Sequence, residues 1–502
     1  MTRMDHAIMI KLLLVLPLAG ALVCLLPWSV RRVFAVMLGF VAAECLLVAL
    51  AVHEVLRGGV PAGAGQWLRI DALSAFHLML LGFVFLAGSI HAIAYFKGGS
   101  SQTGSWWARL FSALWLGSMW AMVLVFVSNN IGIMWVGVEA TTLLTAFLIC
   151  TNVTSCSLEA MWKYILICSV GVAFAFMGTI LVAASTVGVA GHSLMFWTEL
   201  MASAGSLDAG LLRAGFVFLL VGYGTKSGFA PMHNWLPDAH SQAPSPVSAV
   251  FSGVLLNSAM YCLLRFMPVV EGAAGNGPWV HDLMILAGLI SIVVAAAFIL
   301  LQRDLKRLLA YSSVEHVGIM ALGFGLGGIG TFAALFHSLG HSLAKPLAFI
   351  SAGRLGHPRG TYDMQALAGS MRVSRVWGVG LFAALLALVG AAPFALFMSE
   401  LLVARAAIEQ KKWFVLALLL AGLGVVFAGV MRYAIPLLWG DRPDAALASS
   451  PAAPPEAGSR FDMLFVCVVV LLLVVLGLVI PAPLMRLLEG ARAVVEGRVM
   501  AL

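Results

Sequence analysis

Apolar runs of about twenty residues, the length a helix needs to cross a bilayer, alternate along the chain with short polar breaks. They predict fourteen transmembrane helices, near 8–27, 33–56, 72–96, 108–128, 130–150, 161–188, 211–230, 244–267, 281–302, 307–325, 328–352, 376–402, 413–439 and 460–480. The first run has the look of a secretory signal. Pro17 and the Pro27–Trp28 end offer no small-residue cleavage site, however, and Arg31 and Arg32 follow directly, so it reads as a retained span. The Pro- and Ala-rich stretch 441–459 reads as a flexible loop. In the tail after Pro483, Arg486, Glu489, Arg492 and Arg498 are set among Leu, Val and Met, which fits a short interfacial helix.

Composition agrees with lipid as the solvent: of 502 residues 62% are hydrophobic and 10% charged. The longest polar breaks, 189–210, 353–375 and 440–460, are too short to build a soluble core, so any redox centre must come from partners. The seven cysteines form no C-x-x-C pair and most lie in apolar runs, so neither an iron–sulfur cluster nor a zinc site is expected. The net charge of +7 gathers in loops and reports orientation rather than nucleic-acid binding. Arg303, Lys306 and Arg307, with Arg354, Arg359, Arg372 and Arg375, fall on one side, assigned to the cytoplasm, which leaves both termini outside. Arg405, Lys411, Lys412 and the C-terminal arginines oppose that bias.

An ionisable side chain at mid-bilayer costs about 2.5–3.5 kcal/mol, so each one asks for a partner or a pathway. Glu139 lies halfway along the fifth predicted span, where it is either a proton carrier or half of a static ion pair. Lys226 in the seventh precedes Pro231, which must break the helix within about a turn and free carbonyls for water; the alternative is a lysine snorkelling to the interface. His337, His341 and Lys345 recur every four residues on one helix face, and histidine, with an unperturbed pKa of about 6.5, suits a relay. H-x-x-x-H could also hold a metal, but it lacks a nearby carboxylate or cysteine, and no metal is expected. Glu400 follows Pro393 in what should be another broken span and is the candidate for proton exit, unless it merely pairs with Arg405. Glu315 and His316 sit two turns from the basic loop and could be interfacial, and Lys163 near a helix start is as well explained by snorkelling. Glu139 precedes Lys226 by 87 residues and Glu315 precedes Glu400 by 85, a recurrence that fits two inverted five-helix units.

The motifs L-P-D-A-H-S-Q-A-P-S-P-V-S-A, R-D-L-K-R-L-L-A-Y-S-S and H-S-L-x-K-P together resemble the antiporter-like subunits of respiratory complex I, of multisubunit sodium/proton antiporters and of group 4 hydrogenases. The E-H of Y-S-S-V-E-H-V-G and P-F-x-L-F-M-S-E look most like the F-type subunit of hydrogenase-4. The resemblance covers nearly the whole chain. It implies that Glu139 and Lys226 pair, that Lys345 is the central lysine and that Glu400 is the charged residue of the twelfth helix. Asn257 stands where a close relative carries an eighth-helix lysine; since asparagine holds no proton, the hand-over would depend on water, on His233 or on another route.

The expected architecture is therefore an all-α integral membrane protein with broken seventh and twelfth helices. Residues 1–107 would form helices one to three, 108–267 the first inverted repeat, 268–440 the second, and 441–502 the loop, the last span and the tail. The expected function is proton translocation in the inner membrane of a bacterium, as one subunit of a hydrogenase-4-like or NADH:quinone oxidoreductase-like complex. The chain itself would hold no cofactor. Its partners would be other antiporter-like subunits and peripheral redox subunits with iron–sulfur clusters and nickel–iron or flavin centres. Sodium/proton exchange, inorganic-carbon uptake and a non-conducting membrane anchor are the alternatives. No nucleotide loop or nucleophile constellation points to an independent enzyme.

Overall fold

The computed structural model describes residues 6–97, 105–441 and 458–498, so most of the expected loop 441–459 lies outside the described residues. The N-terminal helices are α1 (His6–Cys24), α2 (Val30–Leu56), α3 (Ala72–Lys97) and α4 (Ser105–Val127). Next come α5 (Ile131–Ile149), α6 (Ser155–Ala184), α7 (Ala209–Ser227) and the short α8 (Trp235–Gln242). Helix α9 (Ser245–Val250) runs through a π-helical turn, Phe251–Leu255, into α10 (Leu256–Gly272). The remainder is α11 (Gly277–Ile299), α12 (Leu305–Leu326), α13 (Ile329–Gly356), α14 (Arg375–Leu388), α15 (Ala395–Glu409), α16 (Trp413–Trp439), α17 (Arg460–Leu478) and α18 (Ala482–Val495). A two-stranded antiparallel ladder, β1 (Ala62–Gly63) with β2 (Leu68–Arg69), caps the turn between α2 and α3.

Among the described residues eleven helices are long and apolar enough to cross a membrane: α1 to α6, α9 with α10, α11, α12, α16 and α17. The three remaining expected segments coincide with α7, with α13 and with the pair α14 and α15. Their departure has a physical cause. Helices α7 and α13 carry the lysines and histidines singled out above, which lower their hydropathy, and 376–402 is interrupted before Glu400, leaving helices of 14 and 15 residues.

Helices α12 and α13 are almost wholly buried and form the core, whereas α1, α2, α16 and α17 bury one face and turn residues such as Leu46, Phe414 and Leu471 outward. That outward apolar face needs acyl chains or a neighbouring subunit as its solvent. Helices α6 and α7 approach backbone to backbone at Gly178, where a Cβ would meet the Gly215 carbonyl at 2.7 Å, the small-residue packing common in membranes.

A buried ion pair fastens the N-terminal helices to the rest. Arg265 on α10 reaches Asp71, just ahead of α3, with two parallel bonds of 2.5 and 2.8 Å, and also donates to Ser74 and to the Tyr261 hydroxyl. The guanidinium lies 4.7 Å over the Trp197 ring. Burial drives the Asp71 carboxyl up, but Arg265 outweighs it and holds the group below the ordinary carboxylate range.

Candidate functional site

Helix α7 stops at Ser227, one residue past Lys226, because Gly228 turns left-handed (φ 86°) and Pro231 blocks continuation. A Cβ at Gly228 would meet Leu236 at 2.6 Å, so the turn requires glycine for space as well as for conformation. The chain re-enters through a 3₁₀ turn, Met232–Asn234, and Trp235 donates its indole N–H to the Thr225 carbonyl at 2.9 Å. This places Lys226 at a helix end fully inside the protein. Its ammonium donates to Thr142 Oγ1 on α5 at 2.8 Å and to the Tyr164 hydroxyl on α6 at 2.5 Å, and lies 4.6 Å from the Tyr164 ring centroid. Snorkelling is thereby excluded.

The expected direct pairing with Glu139 is not formed: no ion pair joins them within 4 Å, and the lysine's side-chain partners are the two hydroxyls. Glu139 is half-buried, on the side of α5 that also turns Val136 and Leu143 outward. Its Oε1 accepts a 3.1 Å bond from Ser169, and Oε2 is shielded without a partner.

The second break has the same ingredients. Helix α14 ends at Leu388, Gly390 is left-handed (φ 64°), Pro393 follows, and α15 begins at Ala395. The Glu400 carboxylate lies against Gly390, where no Cβ would fit. Glu400 is only 7% exposed, and Arg405 bonds Glu409 at 2.8 Å instead, so Glu400 is no partner of Arg405.

Between the breaks the histidines form a chain. Ser399 Oγ lies 2.9 Å from His337 Nδ1, His337 Nε2 lies 2.9 Å from His316 Nδ1, and the rings of His316 and His341 are 5.3 Å apart. Lys345 donates to the Leu309 carbonyl at 2.7 Å and to Ser312 at 3.0 Å. Glu315, which could have been interfacial, is buried on α12 in electrostatic reach of both Glu400 and Lys345; α12 is covered on all sides there, so two turns from a loop is already interior. Lys163 is a surface residue that pairs with Glu159 and Asp238. His233 packs beside Tyr311 and Phe298.

Two residues and one cavity were not singled out from the sequence. Lys306, grouped above with the basic loop, is buried and donates to the carbonyls of Ser241 and Ala243. It lines a cavity of about 560 Å³ together with Arg303, Asp304, Tyr362 and Asp363, on the face of the basic loops. Burial pushes the Asp304 carboxyl above its ordinary value. His240, stacked 4.9 Å from Phe349, is buried in electrostatic reach of Lys306 and Lys345. The clue was available: His240 closes L-P-D-A-H, one of the motifs quoted above. Asn257 donates to the Gly253 carbonyl at 3.0 Å and to Ser342 at 3.1 Å, tying α10 to α13 beside the π-helical turn.

Shielded polar atoms without partners collect along this line: both ring nitrogens of His240 and of His341, Glu315 Oε2, His316 Nε2 and Glu400 Oε1. Groups of this kind require water or exchangeable protons to be satisfied. His316, His337 and Glu400 bring ligand atoms within 4.8 Å of one another, a group that includes the first histidine of H-x-x-x-H but not His341. Both nitrogens of His337 are engaged, by His316 and Ser399.

Comparison with known proteins identifies the family. The family profile described as NADH:quinone oxidoreductase/Mrp antiporter, transmembrane, matches residues 128–426. A hydrogenase-4 component F homolog from Methylacidiphilum infernorum is 38% identical over 353 residues, covering 69% of this chain and 74% of that one. NADH-quinone oxidoreductase subunit N from Desulforudis audaxviator is 29% identical over 462 residues, covering 88% and 89%. A chain of the membrane-bound sulfane sulfur reductase, an archaeal respiratory membrane complex, superposes with a TM-score of 0.84 at 22% identity, covering 97% of each chain.

Proposed function

The chain belongs to the NADH:quinone oxidoreductase/Mrp antiporter family of multi-pass membrane subunits, and on that premise we propose that it carries protons across the bilayer as an antiporter-like subunit of a redox-driven complex. One observation carries the reading. Lys306, His240, Lys345, Glu315, His341, His316, His337 and Glu400 form a file of buried ionisable groups that begins at a polar cavity and ends at a broken helix.

Protons enter at the cavity beside Asp304 and Lys306, pass by His240 to Lys345, and leave through the histidine chain to Glu400. Lys226 holds a second load against Thr142 and Tyr164. Glu139, half-open on the outside of α5, senses the neighbouring subunit and alters the charge balance at Lys226. Asn257 and Ser342 orient water between the two halves, in the place where a relative carries a lysine.

The basic-loop face is assigned to the cytoplasm of a bacterial cell and both termini to the outside. All fourteen segments span the membrane, and 108–267 and 268–440 are inverted repeats after the N-terminal unit 1–107, with 441–502 carrying the last span and the tail. Moving one charge against 100 mV costs about 2.3 kcal/mol, so the drive comes from partners. Those partners are peripheral subunits with iron–sulfur clusters and a nickel–iron or flavin centre, as the similarity to a hydrogenase-4 component suggests.

The test is proton uptake by vesicles containing the intact complex during redox turnover. Lys345→Met and Glu400→Gln should each abolish the pH gradient while the complex still assembles. Assembly with undiminished pumping would reduce the chain to an anchor, and a gradient that tracks added sodium would make it an exchanger.

A further inference from the structure

A second cavity, of about 570 Å³, lies apart from the proton file, between the end of α2, the start of α3 and the tail helix α18. We propose that it is a binding site for one anionic phospholipid. Its walls combine two kinds of surface. Val55, Leu56, Leu487 and Val494 offer an apolar trough, while Arg69, Arg486 and Arg498 offer guanidinium groups.

The charges facing it do not cancel. Asp71 is consumed by Arg265, and Glu489 pairs with Arg492 at 3.3 Å. Arg498 pairs with Glu496 at 3.2 Å, itself already bonded to Arg492. Among the described residues Arg69 and Arg486 form no ion pair within 4 Å, Arg69 being in electrostatic reach of Asp71 only, and Arg69 Nε is shielded from solvent without a hydrogen-bond acceptor. A planar guanidinium in that state matches a phosphate, which accepts two parallel N–H bonds.

Depth selects a lipid over a free anion. Helix α2 ends at Leu56 and α3 begins at Ala72, so the arginines sit where hydrocarbon gives way to headgroups, and the apolar trough continues toward the acyl layer. Helix α18 is amphipathic, burying Leu487, Leu488, Ala491, Val494 and Val495 against the bundle. A lipid here would bridge α18 to α2 and β2, adjoining the Asp71–Arg265 pair.

The experiment uses the intact complex, purified in detergent, stripped of lipid and refilled with phosphatidylglycerol or phosphatidylcholine, with retained lipid counted by native mass spectrometry. Two arginines near a membrane surface, at about 1 kcal/mol each, predict retention of phosphatidylglycerol about thirty-fold above phosphatidylcholine. The Arg69→Gln/Arg486→Gln double variant should lose that preference while assembly and redox turnover persist. Should the double variant not assemble, Arg486→Gln alone, at an exposed position, should lower the preference part of the way. Equal retention of both lipids, a preference that survives the substitutions, displacement by inorganic phosphate, or a photocrosslinker at Val60 trapping a protein subunit instead of lipid would each overturn the proposal.

Discussion

Lys226 is held by neutral oxygens, from Thr142 and Tyr164, rather than by a carboxylate. A cation solvated in this way can lose its proton without leaving a buried anion behind, which a tight salt bridge would not allow. Lys226→Met should therefore leave the complex assembled and lower proton transfer about a hundred-fold, the low end of what a positioned proton-transfer group contributes; dye-reported acidification during turnover measures it. Asp71 behaves differently. Its folded-state carboxyl lies below its unfolded value, so the pair's contribution is complete above about pH 4 and drains away as the pH falls through the depressed folded value. Removing one partner of such a buried pair costs about 3–5 kcal/mol. Asp71→Asn should thus lower thermal stability in detergent at neutral pH, and the difference from the parent should shrink on strong acidification. A charge inside an apolar run announces itself, which is why Glu139, Lys226, Lys345 and Glu400 were legible in the sequence. Lys306 was not, because it stands among arginines that do face water, and only the fold of Ser241–Ala243 over it makes it interior.

At the scale of elements, the two interrupted helices depend on residues that hydropathy ignores. Gly390 and Gly228 supply left-handed turns, and both stand where a side chain would strike the machinery, Glu400 in one case and Leu236 in the other. Gly390→Ala should push the Glu400 carboxylate aside at a cost of about 1–3 kcal/mol. Pumping should fall with little change in helix content, as circular dichroism and vesicle acidification would report. The prolines at 231 and 393 made both interruptions foreseeable to within a few residues, since ring and missing N–H act locally. Where the freed ends point is set by tertiary contacts, such as Gly477 of α17 backing onto the Pro393 carbonyl, and no local pattern encodes those. The π-helical turn at Phe251–Leu255 was likewise silent in the sequence, because the segment Phe-Ser-Gly-Val-Leu in an apolar run carries nothing that separates a π turn from an α-helical one.

For the whole molecule, span lengths follow from the bilayer, and among the described residues eleven of the fourteen expected spans meet helices long and apolar enough to cross it, with ends shifted by several residues, whereas the partnership of distant helices was not readable. Helices α12, α13 and α15 meet at His316, His337 and Glu400 although these residues are scattered over more than eighty positions. If the file through them is the conducting route, closing its mouth should stop it. Lys306→Leu, which fills the floor of the loop-side cavity with a side chain that holds no proton, should suppress acidification of vesicles at any driving rate while the complex stays intact on gel filtration. Unchanged pumping would redirect attention to the Lys226 side.

The clasp between Asp71 and Arg265 also bears on biogenesis. The two residues are 194 positions apart, so at about 5–20 residues per second the aspartate leaves the ribosome roughly ten to forty seconds before its arginine exists. During that interval α3 follows α1 and α2 into the translocon or the lipid, while Asp71 waits for its partner. The early hairpins are thus parked in a provisional arrangement, and their final docking is an event of late synthesis, when α10 arrives to claim them.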